Sequence, residues 1–194
     1  MKIAYFASGK LGINTLLKVS FEPLIVFTDK KSEEIIQYAQ NNSIPVYVGN
    51  PRTVNGVNVL KKFEIDFILS VNYLFLITEE VIKHPKRGAI NLHGSLLPKY
   101  RGRTPHVWAI INDETMTGIT AHFIDEGCDT GDIIEQIEIP IENTDTGQMI
   151  LNKFELIYPK LVDSILFKIN TGRYSRKKQN ELESSFYGKR DPLL

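Results

Sequence analysis

An asparagine and a histidine stand two residues apart in the run NLHGSLLPKYRGRTP (91–105). In a strand, positions i and i+2 face the same way. Asn91 and His93 are therefore expected to share one face at a strand end, with a loop rich in Gly, Pro and Arg beyond. A side-chain amide and an imidazolium suit stabilisation of the oxyanion that develops when a carbonyl is attacked. A carboxylate is needed beside them, to orient the imidazole and help move the nucleophile's proton. The run FIDEGCDTGDII (123–134) supplies one from Asp125, Glu126, Asp129 or Asp132, in a turn punctuated by Gly127 and Gly131. Individually these residues have plain alternatives, since an Asp in a Gly-rich turn commonly serves its own backbone. His84, His106 and His122 read as surface, helix-start and strand-packing residues, and Cys128 as a bystander.

The elements that must hold these groups alternate. KIAYFA (2–7), PLIVFTD (23–29), IPVYV (44–48), IDFILSV (65–71) and GAINLH (88–93) read as strands. Helices are expected between them at 11–19, 32–42, 57–63 and 78–84, with Ser32 and Thr78 as N-caps. This alternation predicts an α/β fold with a mostly parallel sheet and helices on both faces. Beyond the loop, PHVWAIIND (105–113) reads as a helix with Pro105 in its first turn. Runs 117–125 and 132–141 read as a hairpin of two strands. Residues 149–169 read as a long helix, apolar at Ile150, Phe154, Ile157, Leu161 and Ile165, which Pro159 should kink or divide. The domain is expected to occupy 1–175, with a short polar tail at 176–194.

The chain has 194 residues, enough for one domain with a sizeable core, and a formal net charge of zero. That balance gives no general reason to expect nucleic acid or an anionic membrane. A single Cys excludes an intrachain disulfide and any multi-cysteine metal site. With no signal peptide and no long apolar run, a cytoplasmic protein is expected.

Asn91-x-His93, then Ser95-Leu96-Leu97-Pro98, then Asp129-Thr130-Gly131 resemble, in order and spacing, the signature of the folate-dependent formyltransferases. SVNYLFLITEEVI (70–82) is similar to the strand, loop and helix that precede that signature. The family includes methionyl-tRNA formyltransferase, glycinamide ribonucleotide transformylase and the sugar-nucleotide N-formyltransferases. The resemblance implies a Rossmann-like fold and N10-formyltetrahydrofolate as formyl donor, with no metal. It implies that Asn91 and protonated His93 stabilise a tetrahedral oxyanion. Asp129 would orient His93 and accept the proton of the attacking amine. It assigns a pterin pocket to Phe75, Leu76, Ile77, Ile82, Ile124, Asp125, Glu126 and Gly127.

KYRGRTP is closer to the tRNA and sugar-nucleotide branches than to the glycinamide ribonucleotide branch. A neutral chain that ends near the finish of the catalytic domain weighs against tRNA. The expected acceptor is the amine of a nucleotide-linked amino deoxysugar. The expected phosphate ligands are Ser8, Gly9 and Lys10 after the first strand, with Arg101 and Arg103. Tyr187 and Lys189 of FYGKR (186–190) are further nucleotide contacts. Partners are then small molecules, with no nucleic acid and no membrane, and a homodimer stays open. A formyl-folate hydrolase or a non-catalytic binding module would be the rival readings.

Overall fold

The computed structural model describes residues 1–189, and its chain divides into two compact units, Met1–Asn91 and Leu92–Leu194. In the first, β1 (Ile3–Ala7), β2 (Ile25–Thr28), β3 (Val46–Val48), β4 (Phe67–Val71) and β5 (Ala89–His93) alternate with four helices. These are α1 (Gly9–Leu16), α2 (Glu33–Asn41), α3 (Val54–Leu60) and α4 (Glu79–Ile82). The strand order is β3-β2-β1-β4-β5, and β1 pairs in parallel with both β2 and β4. Every residue of β1, β2 and β4 is buried, as expected of parallel strands covered on both faces. Phe6 and Phe27 stack across β1 and β2 with centroids 4.4 Å apart. The mostly parallel α/β sheet read from the sequence is thus present.

Helix α3 starts at Val54, ahead of the expected 57, because Thr53 caps it by accepting the Gly56 N–H at 3.1 Å. Ser32 stands at the N-terminus of α2 as expected, but its hydroxyl does not cap that helix.

The second unit begins inside β5, at Leu92. It contains β6 (Arg101–Gly102), α5 (Pro105–Ile111), β7 (Met116–Phe123), β8 (Ile133–Pro140) and α6 (Gly147–Asn170). A single 3-10 turn (Glu181–Glu183) and β9 (Phe186–Tyr187) follow. β7 and β8 form the expected antiparallel hairpin, with an irregularity between Ala121 and His122. The pair β6 and β9 is unforeseen: the tail joins the loop after β5 as a parallel strand.

Helix α6 runs unbroken through Pro159, where the sequence predicted a kink or a division. Its buried stripe is Ile150, Phe154, Tyr158, Leu161 and Ile165, packed on β7, β8 and α5. Tyr158 replaces the expected Ile157 in that stripe, and Pro159 itself is buried in the packing. Phe154 fills the space beside Gly94, so close that a Cβ there would lie 2.7 Å from its ring. That packing fixes the residue next to His93.

His106 meets Phe154 edge-on at 6.0 Å, and desolvation lowers its pKa from 6.5 to about 4. Its unfolded form therefore binds a proton first as pH falls. The fold loses stability between pH 6.5 and about 4, and keeps this contribution in full above 6.5. His106→Leu is expected to make urea-unfolding stability fall less steeply with pH across that window. An unchanged slope would mean the ring is already solvated in the fold.

Candidate active site

His93 ends β5 and is buried. Its Nε2 lies 2.8 Å from the Tyr100 carbonyl oxygen. A carbonyl only accepts, so Nε2 carries the proton and donates. Nδ1 then faces Asp129 Oδ2 at 3.5 Å. Burial lowers the His93 pKa below 6.5, against the opposing pull of Asp129 and the Tyr100 carbonyl. The resting ring is therefore neutral near pH 7, with its lone pair on Nδ1. This changes the starting charge implied by the resemblance, in which His93 is protonated.

Asp129 is the carboxylate that reaches the imidazole. Asp125 is not, because its Oδ1 accepts the Gly127 N–H (3.1 Å) and the Thr130 hydroxyl (2.6 Å), building the turn itself. Asp132 is held by Arg176 at 3.0 Å. Asp129 sits at φ +57, left-handed, which turns its side chain back toward His93. Gly131 permits the tight return, since a Cβ there would lie 1.8 Å from the Phe123 carbonyl. Desolvation opposes ionisation of Asp129. The attraction of a protonated His93, contacts with His122 and the Gly102 N–H (3.0 Å) outweigh it and hold the carboxyl well below the usual range.

His122 is a correction. The sequence reading placed it in strand packing, yet its Nε2 lies 3.5 Å from Asp129 Oδ1. Its Nδ1 donates to the Phe123 carbonyl at 2.8 Å. Asp129 thus stands between two imidazoles, each anchored through its other nitrogen to a backbone carbonyl. The irregularity at Ala121 and His122 accompanies this placement, and strand alternation alone could not reveal it. Asn91 lies in β5 two positions before His93, as the motif spacing requires.

The expected phosphate ligands fare unevenly. The Gly9 N–H donates to Ser32 Oγ at 2.8 Å, and that hydroxyl donates to Asp29 Oδ2 at 2.6 Å. Ser8 Oγ accepts the Leu74 N–H at 3.1 Å. The start of α1 therefore faces the chain's own carboxylate, which disfavours a phosphate at Ser8 and Gly9. Lys10, in the first turn of α1, and Arg103, on its loop, are exposed. Arg101 is buried and committed elsewhere. Its Nε and Nη2 donate to Gln179 Oε1, and its Nη1 and Nη2 to the Glu181 carboxylate at 2.9 and 2.7 Å. Tyr187 is likewise engaged, stacked on Tyr100 at 5.2 Å and tilted against Trp108 at 4.8 Å. Lys189 is exposed, and the last residue of FYGKR lies outside the described residues. Desolvation of the Cys128 sulfur, then the Asp129 carboxylate, push that thiol up to about 11, in keeping with a bystander.

The apolar residues assigned to a pterin are not spent in a core. Phe75, Ile77 and Ile82 are half-buried and Leu76 is exposed. In the loop after β7, Ile124 is half-buried while Glu126 and Gly127 are exposed.

A family model described as formyl transferase matches residues 1–162. The chain belongs to the formyl transferase family. The bifunctional polymyxin resistance protein ArnA of Wigglesworthia glossinidia brevipalpis is 35% identical over 207 residues, taking in 97% of this chain and 30% of its own length. The chain thus spans under a third of that relative. The N-formyltransferase of Helicobacter canadensis, solved with folinic acid and dTDP-3-aminofucose, is 26% identical with a TM-score of 0.80, over 97% of this chain and 71% of its own. The phosphoribosylglycinamide formyltransferase of Bacillus halodurans is 29% identical with a TM-score of 0.77, over 87% of this chain and 95% of its own. In this family member, no helix among the described residues is long and apolar enough to cross a membrane.

His122→Ala is expected to lower kcat about tenfold by loosening Asp129, with the donor's KM little changed. His122→Gln should recover part of the loss, because its amide reaches the position of Nε2. Equal turnover in wild type and His122→Ala would return His122 to simple packing.

Proposed function

We propose that the chain transfers a formyl group from N10-formyltetrahydrofolate to the amine of a nucleotide-linked amino deoxysugar. The observation that carries the chemistry is the buried His93 beside an ionised Asp129, each fixed by backbone partners. The amine attacks the formyl carbon and a C–N bond forms. The Asn91 amide donates to the developing oxyanion. The proton released by the amine passes to Nδ1 of neutral His93, where Asp129 Oδ2 stabilises the imidazolium. Asp129 is a poor final base, being held below the usual carboxylate range, so its part is electrostatic. His93 then returns the proton to N10 as the bond from the formyl carbon to N10 breaks. Phe75, Leu76, Ile77 and Ile82 of the first unit offer apolar surface suited to a flat heterocycle. No metal enters this scheme.

The likeness to the Helicobacter canadensis enzyme takes in nearly the whole chain, whereas that to the glycinamide ribonucleotide enzyme takes in 87%. The Helicobacter canadensis enzyme was solved with dTDP-3-aminofucose, and that likeness supports a sugar nucleotide as acceptor. Arg103, exposed on the loop before α5, is the cation we propose for its diphosphate. Residues 1–175 are the transferase domain in this reading, with 176–194 as its tail.

The test offers formyl donor with dTDP-, UDP- and GDP-linked amino sugars and glycinamide ribonucleotide, and reads formylated product by mass. Product from one amino sugar is expected. Product from glycinamide ribonucleotide alone would replace the acceptor, and formate without any amine would indicate a hydrolase. Asp129→Asn should cut kcat by about 10²–10⁴, the range of acid–base contributions. The acid limb of kcat/KM should lie below pH 6.5, because His93 must be neutral to accept the proton and burial lowers its pKa. A limb above 6.5 would show that another group controls the proton.

A further inference from the structure

The tail after α6 reaches both halves of the catalytic pair. Lys177 and Ile133 exchange two backbone hydrogen bonds, at 2.8 and 2.9 Å. Gln179 Nε2 donates to the carbonyls of Asp129 and Gly131, both at 2.8 Å. Its Oε1 accepts from Arg101 Nε (3.1 Å) and Nη2 (2.8 Å). The Tyr100 N–H donates to Ser185 Oγ at 2.8 Å, and the Arg101 N–H to the Ser185 carbonyl at 2.9 Å. β9 then pairs with β6. These contacts bear on catalysis because Tyr100 supplies the carbonyl that holds His93, and Gly102 the N–H that holds Asp129.

We infer that Gln179 is a positioning residue for the reaction, joining the Asp129 turn to the loop that carries Tyr100, Arg101 and Gly102. Its one side chain reaches both segments from the tail. The amide geometry is directional: the nitrogen meets two carbonyls and the oxygen meets a guanidinium, so reversing either end opposes like partners. Arg101 transmits the hold, with Glu181 as its second partner. Glu181 is 68% exposed at its side chain, so its ion pair is screened and carries less than the Gln179 bridge. Asp129 at φ +57 needs such a hold, because a left-handed non-glycine residue persists only where its surroundings fix it. This inference rests on the His93–Asp129 site proposed above for its consequence on rate, but its first readout is independent of activity.

The test uses the full chain with three substitutions. Gln179→Leu removes both ends of the bridge. Gln179→Glu keeps the acceptor for Arg101 and sets an oxygen against two carbonyls. Glu181→Gln leaves the bridge in place and serves as the mild control. Ring nitrogen chemical shifts report the His93 titration, and thermal unfolding reports folding. In Gln179→Leu and Gln179→Glu the His93 titration should move to lower pH, since Asp129 no longer supports the imidazolium. Glu181→Gln should titrate like wild type. With an acceptor in hand, kcat should fall about tenfold to a hundredfold with the donor's KM little changed. If Gln179→Leu does not fold, Gln179→Glu decides. A folded Gln179 variant whose His93 titrates as in wild type overturns the inference. If wild type transfers no formyl group, the proposed function fails, while a shifted His93 titration still upholds the bridge.

Discussion

Asp129 must stay ionised in a half-buried turn, and the surrounding second unit is arranged around that demand. A carboxylate leaving water is stable only when its lone pairs are met. Here the Gly102 N–H donates to Oδ2 at 3.0 Å, and two imidazole nitrogens stand 3.5 Å from the carboxylate, where a proton on either ring is attracted. None of these partners is local in sequence to Asp129. One comes from the end of β5, one from β6 and one from β7. The carboxylate therefore fixes the mutual placement of three segments, and its low pKa is the electrostatic measure of how well they meet it.

The same constraint bears on the role proposed for His93 as a base. A ring wholly out of water avoids a positive charge, and a carboxylate close by favours one. The two effects nearly oppose each other, with burial the larger. A base poised this way accepts a proton during reaction without holding one beforehand. The Tyr100 carbonyl settles which nitrogen is available, since it takes the Nε2 proton and leaves Nδ1 toward Asp129. Tyr100 does this from φ +61, another left-handed position, so two strained residues aim the two groups at each other.

Much of the frame was legible because buried parallel strands read as continuous apolar runs and their helices as polar-faced segments. The run KIAYFA gave β1 within a residue, and GAINLH gave β5 with His93 at its end. The motif spacing singled out Asn91, His93 and Asp129, and the last two stand 3.5 Å apart. What stayed hidden depends on contacts distant in sequence. His122 looks like any strand residue until the hairpin register turns it to Asp129. Arg101 looks like a phosphate ligand until residues 78 and 80 positions away in sequence take its guanidinium. The tail looks polar and turn-rich because its order comes from pairing with β6, not from a buried face of its own. Pro159 looks like a break because local propensity cannot weigh a helix whose other positions are deeply packed.

Strain and reach together explain what the tail contacts at Lys177, Gln179 and Tyr187 hold in place. Tyr100, Thr104 and Asp129 are all left-handed non-glycine residues in the loops around the pair. Loops alone relax such conformations, because they lack the repeating bonds of a helix or sheet. A second layer must hold them, and the tail supplies it through backbone pairing at Lys177, side-chain bonds at Gln179 and ring stacking at Tyr187. Each contact is modest in isolation, on the order of 1 kcal/mol for a neutral hydrogen bond. Their value lies in geometry: they close on segments that each carry one partner of the reacting imidazole or its carboxylate. The proposed transfer, with a neutral base and a fixed counter-charge, needs that closure more than it needs additional charge near the amine.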